Sequence, residues 1–243
     1  MAERVWDQFL TDRDKEHAEK RGRKARIGFG KKPAILLIDL YRAVFGDKPQ
    51  PLLEALDEWP ASCGMAAWDS IPHIQSLLST AREAGVPVAY VTGLDERNSG
   101  MKGWATANRP TSARDMSPAQ EDRRRRAYDI IDELSPIDGE VVLCKNSPSA
   151  FNGTPLENHF AHLGVDTVIV VGESTSGCVR ASVVDAASRR YRVVIAEEGV
   201  FDRTEAAHAI NLFDMDEKYA DVLPLAEIED YLRNLPVEVA AAE

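Results

Sequence analysis

The chain has 243 residues, of which 44% are hydrophobic and 28% charged, and a formal net charge of −11. These values fit a globular protein with one large core, and the acidic balance disfavours nucleic acid and anionic membranes as partners. No apolar run approaches the roughly 20 residues that span a bilayer. The charged N-terminus lacks the apolar core of a signal peptide, so we expect a cytoplasmic protein. Three cysteines without a repeated spacing argue against a disulfide framework.

The N-terminal segment, residues 4–24, carries many charges and only a weak apolar stripe. This pattern predicts a helical arm that frays or packs on a neighbour, and a partner subunit is one surface that would suit it. We therefore divide the chain into an arm at 1–30, one domain at 31–236 and a tail at 237–243.

From residue 34 onward, strand patterns alternate with helix patterns. Strands are predicted at 34–38, 86–92, 140–144, 167–171, 192–196 and 221–223, and helices at 70–84, 127–134, 155–163, from Cys178, at 204–215 and at 225–232. This alternation predicts an α/β fold, a three-layer α/β/α sandwich with a mostly parallel six-stranded sheet. Two long irregular stretches, 45–67 and 93–118, interrupt it. The tryptophans in or next to these stretches (Trp59, Trp68, Trp104) either wall a small-molecule pocket or pin the loops to the body.

Cys178 is the most informative residue. A β-branched strand, 168–171, ends in a glycine, a turn of small residues follows, and Cys178 opens an amphipathic helix. In the first turn of a helix, free N–H groups and the macrodipole favour an anion. We therefore expect the thiol to ionise more readily than in a coil and to act as a nucleophile.

Two further reactive residues follow predicted strands, Asp39 after the first and Lys145 after the third. Because ligands bind beyond the carboxyl ends of parallel strands, we expect both beside Cys178. A carboxylate can take the thiol proton, and a lysine can stabilise the negative charge. Alone, each residue could be structural, as a turn aspartate, a solvated lysine or a small buried cysteine. Together they favour a cysteine-centred active site, with backbone N–H groups of 174–178 as an oxyanion hole.

Three motifs carry a family resemblance. They are Ala34-Ile-Leu-Leu-Ile-Asp-Leu40, Lys145-Asn-Ser-Pro-Ser-Ala-Phe-Asn-Gly-Thr-Pro-Leu156 and Gly172-Glu-Ser-Thr-Ser-Gly-Cys-Val-Arg180. In this order and spacing they resemble the signatures of the isochorismatase-like cysteine hydrolases, over residues 25–236. The resemblance is closest to the N-carbamoylsarcosine amidohydrolase branch, through Arg26-Ile-Gly-Phe-Gly30, Gly199-Val-Phe-Asp-Arg203 and Asn211-Leu-Phe-Asp-Met-Asp216.

The resemblance implies Cys178 as nucleophile, Asp39 as proton acceptor and Lys145 as charge stabiliser. It also implies an oxyanion hole from the backbone amides of Ser174 and Cys178, and a cis peptide bond between Glu173 and Ser174. The candidate substrate contacts are Arg203, facing a substrate carboxylate, together with Trp104, Glu173, Ser174 and Phe45. Many relatives carry a small apolar residue in place of Glu173, which therefore could alter the charge of the pocket.

The predicted function is a cysteine amidohydrolase. It would cleave a small linear amide or N-carbamoyl (ureido) compound through a thioester with release of ammonia, as an N-carbamoylsarcosine amidase-like enzyme or a maleamate- or ureidoacrylate-type one. Two alternatives stay open. A vinyl-ether hydrolase acting on isochorismate would not need the thiol, and a binding module would keep the pocket without turnover.

We expect no cofactor and no metal. The Asp-x-His-x-His-type cluster of the nicotinamidase branch is missing, since residues 93–99 contain no histidine, and His159 and His162 lack further ligands. The run Arg123-Arg-Arg-Arg126 lies among acidic residues and predicts a paired, solvated helix face. By resemblance, we expect a homodimer or homotetramer.

Overall fold

The computed structural model describes residues 4–22, 24–94 and 117–236. Within these ranges six parallel strands form one sheet in the order β3-β2-β1-β4-β5-β6. The strands are β1 (Pro33–Ile38), β2 (Val88–Gly93), β3 (Val141–Lys145), β4 (Thr167–Glu173), β5 (Arg192–Phe201) and β6 (Asp221–Leu223). From β1 the order runs outward through β2 to β3, and from β4 outward through β5 to β6. The boundary between β1 and β4 is therefore the switch point, where an open parallel sheet forms its binding crevice.

Helices cover both faces of the sheet. In the described ranges they are Asp12–Arg21, Arg42–Phe45, Leu52–Ala55, Met65–Glu83, Pro118–Arg126, Leu156–Leu163, Arg180–Ser188, Glu205–Lys218 and Leu225–Arg233, with short 3-10 turns at Asp7–Phe9 and Asp132–Leu134. Two hydrophobic clusters separate the sheet from these helices, one on each face. The predicted three-layer α/β/α sandwich with a parallel six-stranded sheet is confirmed.

β1 shows why this sequence forms a central strand. All six residues of Pro33–Ile38 are buried. Successive side chains alternate between the two faces, so Ile35 and Leu37 join one hydrophobic cluster while Leu36 and Ile38 join the other. A continuous apolar run is expected for a strand that is covered on both sides.

One predicted helix is wrong. The segment 127–134 holds only the 3-10 turn Asp132–Leu134, and the α-helix lies upstream at Pro118–Arg126. Ser117 caps that helix by accepting from Gln120 N, and proline at the first position suits a helix start. Ile130 instead forms a β-bridge with Tyr41.

The stretch 45–67 is less irregular than predicted. It contains the short helix Leu52–Ala55 and the first residues of the helix Met65–Glu83. Gly64 opens the longer helix with a positive φ of 58°, and a Cβ there would lie 2.6 Å from the backbone of Leu52. A glycine is therefore needed at this turn.

The N-terminal segment packs on its own domain. Trp6 is 6% exposed and lies against Phe213, while Arg4 donates to the Val222 carbonyl and pairs with Glu197. The helix Asp12–Arg21 that follows buries no residue. The segment is thus anchored at its start, and its contact with a partner subunit stays a prediction.

Among the described helices, none combines the length and the apolar character that crossing a membrane requires. The arginine run behaves as predicted, since Arg125 and Arg126 pair with Asp122, and Arg126 also pairs with Asp47.

Candidate active site

The switch point brings the end of β1 against the end of β4. Asp39 follows β1 directly and has a positive φ of 56°, which is uncommon for a residue other than glycine. Gly172 lies beside it in β4 with a φ of 116°, and a Cβ at this position would be 2.0 Å from the Ile38 carbonyl oxygen. Glycine is therefore required at 172, because only the missing side chain lets the two strand ends approach so closely.

Asp39, Lys145 and Cys178 meet at this point. Lys145 Nζ lies 2.8 Å from Asp39 Oδ2 and donates to Cys178 Sγ at 3.3 Å. The three residues are 1%, 6% and 9% exposed, respectively. The Asp39 carboxylate is also within hydrogen-bonding reach of the Cys178 side chain, so the proton acceptor lies beside the thiol. Three chain segments that are distant in sequence, at positions 39, 145 and 178, thus form one buried cluster.

The charge states follow from burial. Desolvation raises the pKa of Asp39, although the Lys145 ammonium opposes this shift. Burial acts to lower the pKa of Lys145, but Asp39 and Cys178 outweigh it and leave the pKa raised. Lys145 is therefore a cation, and Asp39 has a stronger affinity for protons than an exposed aspartate.

The predicted readily ionised thiol is wrong. Burial raises the pKa of Cys178 well above its ordinary value, the Asp39 carboxylate raises it further, and Lys145 only opposes these effects. The helix N-terminus does not decide the outcome because the loss of water dominates at a buried thiol. The resting residue is a thiol, and its proton must be removed when it reacts.

A wide helical turn presents the cysteine. Thr175–Val179 forms a π-type turn that continues into the helix Arg180–Ser188, so Cys178 lies at a helix start as predicted. The Ser174 carbonyl accepts from the N–H groups of Gly177 and Val179. The peptide bond between Glu173 and Ser174 is cis, as the resemblance implied. The backbone amides of Ser174 and Cys178 stay candidates for an oxyanion hole.

Buried side chains hold this turn from three sides. Ser182 Oγ donates to the Cys178 carbonyl at 2.7 Å and accepts from Ala150 N at 2.9 Å. Asp202 Oδ2 accepts from the Ser176 N–H at 2.8 Å and from its hydroxyl at 2.6 Å. Thr175 Oγ1 lies 2.8 Å from His208 Nδ1.

Glu173 and Arg203 form an ion pair beside the cluster. Arg203 Nη1 lies 2.6 Å from Glu173 Oε1, while Nη2 donates to the carbonyl of Ala61. The thiol of Cys63 is a third neighbour, 4.0 Å from Glu173 Oε1. Glu173 is 5% exposed, and its burial raises its pKa to about 7 despite the opposing charge of Arg203.

The other candidate contacts have separate outcomes. Phe45 is 1% exposed and packs edge-on against Trp68 and Phe201, so its contacts are those of a core residue. Trp104 lies outside the described residues. Of the other two tryptophans, Trp59 donates to Asp47, and Trp68, in the helix Met65–Glu83, donates to the Phe45 carbonyl. These two indoles pin the loop to the domain.

A pocket of about 500 Å³ adjoins the Glu173–Arg203 pair. Its lining includes Cys63, Asp69, His73, Asp202, Arg203 and His208. None of Asp39, Lys145 and Cys178 lines it, so it neighbours the cysteine cluster rather than containing it. The described residues contain no group of three or more His, Cys, Asp or Glu side chains placed to hold a metal ion.

Sequence reasoning missed several residues around the cysteine. The pKa of Tyr41 is raised by its burial and by the nearby Asp39, Glu173 and Cys178 charges, which places this phenol beside the cluster. Its position two residues after Asp39 was the available signal. Asp202 follows the end of β5, the same kind of strand-end position that identified Asp39 and Lys145. Ser182 and His208 lie within helical patterns and gave no such signal.

Comparison with known proteins identifies the family. The Isochorismatase domain family matches residues 33–227. N-carbamoylsarcosine amidase of Arthrobacter sp. is 36% identical over 225 residues, which cover 89% of this chain and 77% of the relative. Maleamate amidohydrolase of Pseudomonas putida is 35% identical over 210 residues, covering 86% of this chain and 91% of the relative.

A solved structure supports the fold independently. The cysteine hydrolase of Pseudomonas syringae pv. phaseolicola 1448A superposes with a TM-score of 0.71 at 18% identity, covering 88% of this chain and 99% of that one. At this identity the likeness concerns the fold alone. The family match spans most of the chain and includes both strand ends that form the switch point, and the chain therefore belongs to the isochorismatase family.

Proposed function

We propose that this protein is a cysteine amidohydrolase that cleaves the C–N bond of a small linear amide or N-carbamoyl compound through a thioester on Cys178, with release of ammonia. One observation carries the proposal: Lys145 Nζ lies 3.3 Å from Cys178 Sγ and 2.8 Å from Asp39 Oδ2 in a buried cluster at the switch point of the sheet.

The class of reaction follows from the family and from the two relatives named above. The chain is an amidohydrolase, which hydrolyses carbon–nitrogen bonds other than peptide bonds. The N-carbamoylsarcosine amidase and the maleamate amidohydrolase support either a ureido or an amide substrate for this chain.

In the first half-reaction the thiol proton passes to Asp39 as the sulfur attacks the carbonyl carbon. Lys145 stabilises the charge that develops on sulfur, and the backbone amides of Ser174 and Cys178 receive the oxyanion. The C–N bond then breaks, and Asp39 returns the proton to the departing nitrogen, which leaves as ammonia. The raised pKa of Asp39 suits this exchange, because a carboxylate that binds protons more tightly is a better base.

In the second half-reaction water attacks the thioester, and Asp39 accepts a proton from that water. The S–C bond breaks, the sulfur recovers its proton, and the acid product leaves. A carbamoyl thioester yields a carbamic acid, which decomposes to CO2 and an amine. No step in this sequence changes an oxidation state.

Other proposed roles surround the reacting groups. Ser174 and Glu173 border the sulfur from the cis peptide side, and Arg203 and Trp104 complete the proposed substrate-side set, from which the buried Phe45 is left out. A maleamate- or ureidoacrylate-type amide fits the same chemistry as an N-carbamoylsarcosine-like substrate. Hydrolysis of the vinyl ether of isochorismate would not require the thiol of Cys178.

The test is ammonia release from N-carbamoylsarcosine, maleamate, ureidoacrylate and their uncharged ester counterparts. With the best of these substrates, Cys178→Ala should abolish turnover and Asp39→Asn should reduce it at least about 1,000-fold. Cys144→Ala is the matched control, since Cys144 is the exposed thiol on β3. Intact-protein mass spectrometry after rapid quenching should show an adduct on Cys178.

Normal turnover by Cys178→Ala would overturn the mechanism. Hydrolysis of isochorismate without ammonia release from any amide would favour the vinyl-ether reaction instead. Binding of these compounds without turnover would indicate a binding module.

We also propose that the protein is a homodimer or homotetramer. Gel filtration coupled to light scattering tests this assembly. Comparison with a chain that begins at Arg26 then shows whether the N-terminal segment contributes to it.

A further inference from the structure

We propose that Glu173 sets the charge specificity of this site, so that the enzyme selects amides without a carboxylate. The inference rests on the proposed function, because it concerns the substrate class of the Cys178 site. It gives Arg203 a different task from the binding of a substrate carboxylate.

The guanidinium of Arg203 already has partners within the protein. Both terminal nitrogens of Arg203 are already engaged, Nη1 by Glu173 at 2.6 Å and Nη2 by the Ala61 carbonyl. An incoming carboxylate would have to bind the remaining N–H groups against the negative charge of Glu173, or displace Glu173. Displacement would leave a carboxylate that is 5% exposed without its cation, which is strongly unfavourable.

The charged side chains around Cys178 are negative on balance. Two cations lie close enough to lower the pKa of Asp39, and they are Lys145 and Arg203. Each is already paired with a buried carboxylate, Lys145 with Asp39 and Arg203 with Glu173. Asp202 adds a third carboxylate, which is bonded to Ser176 beside the cysteine. In the described part of the site, three carboxylates therefore face two cations, and a substrate carboxylate would add a fourth negative group.

The charged side chains that line the adjoining pocket are mostly acidic. Arg203 and the acidic residues Asp69, Glu197, Glu198, Asp202 and Glu205 line it together. Such a lining repels an anion and accommodates a neutral or positively charged substituent. The pocket therefore favours the same substrate class as the Glu173–Arg203 pair.

The test uses two alkylating reagents of nearly the same shape and different charge, iodoacetate and iodoacetamide. The rates of Cys178 modification are measured by peptide mass spectrometry and normalised to the rates for free cysteine at the same pH. We expect the native protein to favour iodoacetamide by about 10- to 100-fold beyond the free thiol. Glu173→Gln should remove most of that preference, because Arg203 then loses the carboxylate with which it is ion-paired.

Glu140→Gln is the matched control. Glu140 is also paired with an arginine, Arg82, at 2.8 Å. It precedes β3 and therefore lies at the amino-terminal ends of the strands, away from the cysteine cluster at their carboxyl ends. Its variant should keep the native preference. In the double variant Glu173→Gln, Arg203→Gln, the gain in iodoacetate reactivity should disappear, which would identify Arg203 as the group that Glu173 occupies.

Hydrolysis of a matched pair, N-carbamoylsarcosine and its methyl ester, provides a second reading. The native enzyme should have the higher kcat/KM for the ester, and Glu173→Gln should shift the ratio towards the acid. If ammonia is released from both and the native enzyme prefers the acid, the charge proposal fails while the amidohydrolase stands.

If Cys178 shows the expected reagent selectivity but no amide of either charge is hydrolysed, the proposed function fails and the amide substrate class fails with it, while the role of Glu173 in charge selection at Cys178 is supported. A native preference for iodoacetate relative to free cysteine would overturn the charge proposal directly.

Discussion

The ammonium of Lys145 reaches the sulfur of Cys178 at 3.3 Å, and the same nitrogen is ion-paired with Asp39. The lysine therefore lowers the pKa of the thiol less than a free cation would, because the Asp39 carboxylate compensates most of its positive charge. Burial and Asp39 keep the pKa of Cys178 raised. The cluster is arranged to move a proton from sulfur to Asp39 during attack rather than to store a thiolate.

Replacing Lys145 by methionine should destabilise the protein in a pH-dependent way. The variant leaves Asp39 buried without its cation, and breaking a buried pair costs about 3–5 kcal/mol. Without the lysine, the pKa of Asp39 rises further above its unfolded value. Its contribution to stability is then fully present at low pH and is lost as pH rises through the folded pKa. The deficit in the free energy of unfolding, measured in urea, should be larger at pH 8 than at pH 5.

The exposed pair of Lys20 with Glu16 provides the control for this prediction. Lys20→Met should change the unfolding free energy by less than about 0.5 kcal/mol at either pH, because surface ion pairs contribute little. Equal deficits for Lys145→Met at pH 5 and pH 8 would mean that Asp39 does not bind a proton in place of the missing lysine charge.

Ser182→Ala should weaken both the fold and the turnover. Its hydroxyl is fully buried, donates to the Cys178 carbonyl and accepts from Ala150 N. Leaving these backbone groups unpaired costs about 1–3 kcal/mol and loosens the turn that presents the sulfur. Ser188→Ala is the matched control, because this exposed serine makes the same contact with the carbonyl four residues earlier, at 2.7 Å. Thermal unfolding and kcat measure both effects, and equal losses in the two variants would contradict the argument.

Much of this arrangement could be predicted because it depends on strand ends. The apolar runs before Asp39, Lys145 and Cys178 identified three parallel strands, and parallel strands end at one edge of a sheet. The family motifs carried the same residues. What periodicity could not supply was the environment of each group. Whether a thiol at a helix start ionises depends on how much water reaches it, and that depends on tertiary packing.

The contacts of Glu173 also could not be predicted from local sequence patterns. Its position in the motif was visible, but its ion pair with Arg203 joins the end of β4 to the end of β5 across a register shift between Val170 and Gly172. Local patterns do not reveal such a bulge. The helix predicted at 127–134 failed for a local reason instead, since the Ser-Pro start at Ser117 has the capping signal that the later segment lacks.

Asp202→Asn should lower both kcat and stability. Asp202 Oδ2 holds the Ser176 N–H and hydroxyl, and Oδ1 accepts from the Arg203 N–H at 2.7 Å. An amide keeps only one acceptor oxygen, so the turn before Cys178 loses part of its support. We expect about a tenfold fall in kcat and a loss of about 1–2 kcal/mol in unfolding free energy.

The control for Asp202 is an aspartate at the amino-terminal ends of the strands, far from the cysteine. Asp166 also accepts from backbone N–H groups, those of Lys31 and Lys32. Asp166→Asn should cost similar stability and leave kcat within about twofold of the native value. An equal fall in kcat for both variants would show that Asp202 affects turnover only through the stability of the fold.

The charge preference of the site should depend on pH through Glu173. Burial raises the pKa of this carboxyl to about 7, with Arg203 opposing the shift and Asp39 adding to it. Below this value the carboxyl is neutral, so the guanidinium is left without a charged partner and an anion is tolerated better. The normalised preference of Cys178 for iodoacetamide over iodoacetate should therefore fall as pH is lowered from 8 to 6.

In Glu173→Gln the same ratio should change much less over this range, which separates Glu173 from the other groups that face it, including Asp39 with its raised pKa. These groups are Asp39 and Tyr41 after β1, Cys63 before the helix Met65–Glu83, and Asp202 and Arg203 after β5. The pKa values of Tyr41 and Cys63 are raised, and that of Arg203 is raised too, so none of these three titrates between pH 6 and pH 8. A native ratio that does not change with pH would show that Glu173 keeps one charge state throughout, and the pair would then act as a fixed charge rather than a titrating one.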